Sequence, residues 1–416
     1  MTKLKFLGAC REVGRSSVML QEKGLNVVMD CGLKVHGEQE FPTLDQNAFD
    51  EMIISHAHLD HTGAIPVGNA RQRPLYMTDI SLPITELLLA DSEKVAIKRN
   101  IKSHYGEKEI TKALGKIKTM RYQKEHVFKN GSSFAFLDAG HIPGSAGIMF
   151  QGEKKVFYTG DFKMVETRLH EGAIVPNNVE VMITESTYAT KEQPDRNQLE
   201  KKFVDSIKEA LTKGPAIIAA FATGRTQELI QILRLGGIEQ EIIVDGMGGK
   251  INDILLEYPG YIKDQKFFEK CMETVEPITN RRFRKIVVKQ NKLVICTAGM
   301  LDGGPVLEFI KQMREQGKGK LFMTGFQAEE TNGRRILEEK ELLLDGKVVK
   351  VNFPFEQYEF SAHPSKSELM QAIKKANPQK VFCMHGDDTS CTTFAQELND
   401  YCYEAYDTTL GKEFEL

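Results

Sequence analysis

The chain has 416 residues, 41% of them hydrophobic and 27% charged, enough for a sizeable core and for two lobes. A net charge of −3 and a pI near 6.4 do not advertise a nucleic-acid binder, nor do they exclude one, because formal charge counts metal-binding aspartates but not the metal they hold. Seven scattered cysteines without a CxxC pair exclude a disulfide framework and a cysteine zinc knuckle, and fit reduced thiols in the cytoplasm. The opening MTKLKFLGACREVGRSS has no signal-peptide core, and no run reaches the ~18 apolar residues of a membrane helix, so no membrane partner is expected.

The first elements are short apolar runs that stop in polar residues and glycine. LNVVMDCG closes at Asp30 and Gly32, and DEMIISHAH runs into SHAHLDHTGAIP, Ser55 to Pro66. Runs of this kind read as buried strands. The second delivers His56, His58, Asp60 and His61, three of the chain's ten histidines within six residues. In extended backbone, residues two apart project to the same side, so His56 and His58 can grip one ion. Asp60 and His61 are adjacent and point differently, which suits a second ion ~3.5–4 Å from the first. Imidazole and carboxylate are ligands that zinc favours.

Further along, SSFAFLDAGH ends at His141, KVFYTGDF just past Asp161, and VEVMITEST just past Glu185. Gln198 to Lys213 and Gln227 to Leu235 carry apolar residues at helical spacing. PAIIAAFATGR, EIIVDGMGG, KLVICTAGM, KLFMTGFQAEE and KVFCMHGD continue the strand pattern, the last delivering His385. Strands alternating with helices make an α/β chain, in which ligands gather outside strand ends. His141, Asp161 and His385 stand at such ends and are the candidates to complete two coordination shells, with the Asp161 carboxylate able to bridge. Each alone has a plainer explanation, a buried imidazole satisfied by backbone or an aspartate capping a turn. Their common placement gives them weight. His36, His104, His126 and His170 lack that setting and receive no role.

The H-x-H-x-D-H loop, followed by a later His and Asp, resembles the metallo-β-lactamase fold, an αβ/βα sandwich. More than two hundred residues separate Asp161 from His385. A stretch of that length is similar to an inserted α/β β-CASP domain, expected over 188–350, with the metallo-β-lactamase domain in 1–187 and 351–416. Glu185 in TEST, His363 in EFSAHPSKSEL and His385 in CMHGD resemble motifs A, B and C of β-CASP nucleases. FATGRTQEL, TAGMLDGGPV and GFQAEETNGRR are similar to the catalytic subunit of cleavage and polyadenylation specificity factor and to its compact prokaryotic counterparts without KH domains.

The resemblance implies a zinc-dependent ribonuclease with two zinc ions per chain. The first would be held by His56, His58, His141 and Asp161, the second by Asp60, His61, Asp161 and His385. Two such ions lower the pKa of a shared water from about 15.7 toward ~7, and offset charge developing on the scissile phosphate. Asp60 is expected to orient that nucleophile, His363 to protonate the leaving 3′-oxygen, and Glu185 to hold His363 in place. Asp30 is expected to orient a ligand histidine from behind. Products would carry 5′-phosphate and 3′-hydroxyl ends. A histidine at motif C resembles RNA-cutting members, and the FSAH form of motif B resembles the endonucleolytic branch. The expected activity is therefore an endonuclease on single-stranded RNA, in RNA processing or decay. A 5′→3′ exoribonuclease of RNase J type, an inactive RNA-binding scaffold and a small-molecule metallo-hydrolase are the alternatives.

For the RNA backbone, TAGMLDGGP offers N–H groups around Thr297 and Gly299. Arg225, Arg334 and Arg335 follow glycines and supply charge. The basic run NRRFRKIVVKQNK, Asn280 to Lys292, fits a phosphate track or a solvated surface equally. With no Trp and 8% aromatics, a long base-stacking platform is not expected. By analogy, a second copy of the chain is the other partner, through the segment CYEAYDTTLGKEFEL.

Overall fold

The computed structural model describes residues 2–35, 39–98, 103–278, 280 and 282–416. All ten runs read as strands form strands, from Leu25–Met29 to Lys380–Met384. The two helical spacings become Arg196–Lys213 and Arg225–Leu235. His36 lies outside the described residues, as does Arg281 of the basic run, whose continuation forms the helix Phe283–Lys289.

The chain divides into two compact units. The first comprises 1–166, 171–192 and 362–416, the second 167–170 and 193–361. The return to the first unit comes after 351 because Phe355–Gln357 pairs in parallel with Lys320–Met323 and so extends the second unit's sheet.

Two seven-stranded sheets build the first unit. One runs Glu413–Glu415, Lys3–Phe6, Val18–Glu22, Leu25–Met29, Glu51–Ile53, Leu75–Thr78, Ile117–Met120. The other runs Glu404–Asp407, Lys380–Met384, Val181–Glu185, Lys155–Tyr158, Ala146–Gln151, Ser133–Asp138, Glu125–Val127. Side chains from both, including Leu4, Phe6, Val18, Phe134, Ile148 and Phe382, share one buried cluster, so the sheets face each other across a common core. The helix Glu107–Leu114 packs against the outer face of the first sheet, burying Ile110, Ala113 and Leu114. Lys366–Ala376 and Asp388–Asp400 cover the outer face of the second. The result is an αβ/βα sandwich.

The second unit has a wholly parallel six-stranded sheet in the order Val275–Pro277, Ile242–Asp245, Leu293–Cys296, Ala216–Ala219, Lys320–Met323, Phe355–Gln357. Apolar clusters bury both its faces, as such sheets require. Among the described residues no helix is long and apolar enough to cross a membrane.

Candidate metal centre

The site is built in the first unit from the ends of neighbouring strands. After Ile53 the chain leaves its sheet, and Ser55 is caught by Asp30 at the end of the adjoining strand. The Ser55 N–H donates to Asp30 Oδ1 and its hydroxyl to Oδ2, both at 2.7 Å. His58 then begins the short helix Leu59–Thr62, fastened by the Thr62 hydroxyl to the carbonyls of Ala57 and His58. Gly32 lets this turn pack closely, since a Cβ there would lie 1.7 Å from the Asp60 carbonyl oxygen. Asp30 and His385 adopt left-handed backbone, φ 62° and 51°, a strained conformation that collects at functional sites.

These turns bring together two groups of four donors, each with its ligand atoms within 4.8 Å of one another, and Asp161 also joins Glu185 and His363 in a group of three. One group of four is His56, His58, His141 and Asp161; the other is Asp60, His61, Asp161 and His385. In the first, His58 Nδ1 stands 3.2 Å from both His56 Nε2 and His141 Nε2. Asp161 faces both groups at once. Its Oδ2 lies 3.6 Å from His56 and 3.8 Å from His141, while its Oδ1 lies 3.3 Å from His61 and 3.4 Å from His385. Asp60 Oδ2 approaches His385 Nε2 at 3.2 Å.

The opposite edges of the rings are held from behind. Asp30 Oδ2 lies 2.7 Å from His61 Nδ1 and also accepts from the Tyr158 hydroxyl at 2.7 Å. The Ser55 hydroxyl sits 3.1 Å from His56 Nδ1, and the Ala362 carbonyl 2.9 Å from His141 Nδ1. Such partners fix ring orientation and leave the other nitrogen for a cation. Burial holds His56 and His141 well below the usual imidazole range, keeping them neutral. His61 goes the other way: burial opposes its charge, but Asp161, Asp30 and Asp60 outweigh that and raise it well above. Burial pushes the Asp60 and Asp161 carboxyls up, and the surrounding imidazoles pull both lower still.

Several observations fit a bound metal. His58 Nδ1 can donate to at most one of the two imidazole nitrogens that face it at 3.2 Å, and Asp161 Oδ1 is buried with no hydrogen-bond partner. Neutral imidazoles plus carboxylates are a zinc-type donor set.

Beside the two groups, both Glu185 oxygens face His363 Nδ1, at 3.0 and 2.9 Å, and Glu185 Oε1 accepts from the Phe162 N–H at 2.9 Å. The ring packs 4.7 Å from that of His141. Burial alone would lower the His363 imidazole, but Glu185 leads the carboxylates that raise it to about 9.

Sequence reading missed four residues here. Ser55 and Tyr158 clasp Asp30, and a buried Lys163 donates to Glu368 Oε1 at 2.7 Å and to the His363 carbonyl at 3.0 Å, tying down the motif B loop. The only available signal was the spacing Ser365-x-x-Glu368, which forms a capping box.

The residues expected to hold RNA lie in the second unit. Arg225 departs from the expectation of a presented phosphate ligand, because it is 7% exposed and its guanidinium is engaged by Glu228. Thr297 is buried, its N–H bonded to the Asp245 carbonyl and its own carbonyl accepting from Val306. Gly299 is also buried. Arg334 and Arg335 are part-exposed on the helix Asn332–Glu339, facing Glu338 at 2.6 Å and Glu339 at 3.9 Å.

Three family models match the chain: the Beta-Casp domain over 226–336, a Zn-dependent metallo-hydrolase RNA specificity domain over 348–408, and the anti-Pycsar protein Apyc1 over 3–193. Probable RNase MJ4 of Methanocaldococcus jannaschii is 34% identical, over 99% of both chains. An RNase J-like protein of the same organism is 32% identical over 96% of each. Transcription termination factor FttA of Methanosarcina mazei is 31% identical, over 95% of this chain and 68% of its own. In fold, the chain is similar to a protein of unknown function from Enterococcus faecalis V583 whose crystal structure is known, with a TM-score of 0.65 over 100% of both chains at 14% identity.

Proposed function

The chain belongs to the β-CASP ribonucleases, hydrolytic RNA-binding enzymes of the metallo-β-lactamase fold, and we propose that it holds two zinc ions and cuts single-stranded RNA internally. The observation that carries this reading is Asp161, whose two oxygens face two separate groups of donors. His56, His58 and His141 would hold one ion, Asp60, His61 and His385 the other, with Asp161 common to both. Bound zinc would supply Lewis-acid activation of water and positive charge against the scissile phosphate.

The chain's own groups do the rest. Asp30 holds His61 through Nδ1, and the Ala362 carbonyl does the same for His141. Asp60 would steer the attacking water or accept its proton. His363, gripped at Nδ1 by Glu185, carries its transferable proton at Nε2 and delivers it to the departing 3′-oxygen, leaving 5′-phosphate and 3′-hydroxyl ends. Lys163, bonded to the His363 carbonyl, keeps that loop from drifting.

An unstructured circular RNA tests the mode of attack. An internal cut linearises it into a product bearing a 5′-phosphate. A 5′→3′ exonuclease, the reading favoured by likeness to an RNase J-like protein, leaves the circle intact. Elemental analysis should return two zinc ions per chain; a single tightly bound ion would overturn the paired arrangement. We also propose a homodimer through the C-terminal edge strand Glu413–Glu415, tested by sedimentation, and a reducing, cytoplasmic setting for the seven free cysteines.

A further inference from the structure

In the second unit the strand Ala216–Ala219 lies beside Lys320–Met323. The first continues through the helix Arg225–Leu235 to Ile242–Asp245, toward one edge of the sheet. The second continues through Asn332–Glu339 to Phe355–Gln357, at the other edge. Neighbouring parallel strands whose connections diverge leave a crevice outside their carboxyl ends, where α/β sheets bind ligands.

Two phenylalanines stand there in water. Phe221, just past the first strand, is 38% exposed, and Phe326, just past the second, is 47% exposed. Phe203, Phe309 and Phe322 of the same unit are fully buried. An exposed ring forgoes the burial that normally rewards it, so two at one strand-end crevice call for an occupant.

The backbone around Phe221 is shaped to its ring. A Cβ on Gly325 would come within 3.0 Å of its Cε2, and one on Gly299 within 3.1 Å of its backbone nitrogen and 3.4 Å of Cδ1. The ring is therefore seated between two glycines while part of its surface stays open. Gln327 fastens both, donating from Nε2 to the carbonyls of Gly299 and Gly325 at 3.1 Å each. The loop after Phe326 leads into the helix that carries the part-exposed Arg334 and Arg335, cations suited to phosphates between stacked bases.

We infer that Phe221 and Phe326 form a two-ring stacking subsite for unpaired nucleobases of the RNA substrate. It deepens the proposed reading by assigning single-strand preference to a place, and it requires RNA binding but not internal cleavage. Every base presents a π-face, so the subsite would hold RNA with little regard to sequence.

The chain contains no Trp, so Phe326→Trp in the full zinc-loaded chain creates a sole reporter. Tyr401→Trp, at a 60% exposed position in the first unit, is the control. Both are titrated with a phosphorothioate-linked single-stranded RNA and with an abasic oligomer of the same backbone. Quenching of the Phe326→Trp chain by the base-bearing strand alone is expected, with the control unchanged. Phe221→Ala and Phe326→Ala should each weaken binding of that strand about tenfold, with salt dependence and zinc content unchanged. Equal quenching by the abasic oligomer, quenching of both reporters alike, or wild-type affinity in both alanine variants overturns the inference. The circular-RNA assay is scored separately, so loss of the stacking subsite and loss of internal cleavage are distinguishable.

Discussion

Each unit buries a knot of polar side chains, and the two knots follow opposite rules. In the second unit Glu228, 4% exposed, is shared by Arg225 and Arg196, and Arg196 also meets Glu200 at 3.2 Å and lies over the Phe360 ring at 4.7 Å. Every charge there faces its opposite. Burial pushes the Glu228 carboxyl up, but Arg196 and Arg225 hold it below the usual range. His170 beside them is lowered by burial to about 4 and stays neutral. In the first unit donors converge instead: five histidine rings and two carboxylates turn inward on each other. A self-compensating cluster needs nothing from outside, whereas converging imidazoles and carboxylates are a donor set suited to a cation. The contrast also separates His170 from His141. Both are buried histidines, but only His141 has other donors within reach of the same point.

The sharpest way to break this contrast is to remove the carboxylate common to both groups. Asp161→Ala should lose bound zinc and reduce RNA cleavage by about 10³-fold or more, because each of the two proposed ions loses a ligand. Zinc by mass spectrometry and cleavage are read on the same preparation. Retention of two tightly bound ions would remove Asp161 from the bridging role proposed for it. Next in size is His363→Ala. It should keep both ions and lose about 10²–10⁴-fold in cleavage, the range for one acid–base group. Loss of metal in that variant would move His363 from proton donor to ligand.

Much of the first knot was readable before any geometry. His56, His58, Asp60 and His61 are crowded in sequence because one turn supplies them all, and His141, Asp161 and His385 stand at strand ends of a recognisable kind. The supports were not readable. Ser55, Tyr158, Lys163 and Glu368 are ordinary residue types whose roles exist only through space. Arg225 misled for a physical reason: a preceding glycine suggested an exposed turn, yet most of its helix is buried, and Glu228 three residues on was the signal of an internal pair. The segment 351–361 misled likewise. Its strand adds to the second unit's sheet, and backbone pairing leaves little mark on composition.

Glu228→Ala tests the other side of the contrast. It leaves Arg225 and Arg196 buried without their shared carboxylate, and should cost about 3–5 kcal/mol in denaturant unfolding. Zinc content should not change, since the residue belongs to the self-compensated knot. Metal loss at unchanged stability would mean that the two knots are not independent in the way their chemistry implies.

The smallest expected effect separates two arginines that look alike in sequence. Arg334 faces Glu338 one helical turn on, with side chains 42% and 54% exposed, a pair worth roughly 0.3–0.5 kcal/mol. Arg334→Ala should therefore leave the melting temperature almost unmoved. If its guanidinium meets an RNA phosphate, binding weakens severalfold, and the slope of log K against log salt falls by about 0.7, the counterion released per contact with a single strand. Arg225→Ala should do the reverse, lowering the melting temperature while the salt slope of the folded chain stays as it was, because its charge is already spent on Glu228. An unchanged slope for Arg334 would place it with Arg225 among the structural cations and shift phosphate recognition to the strand-end backbone.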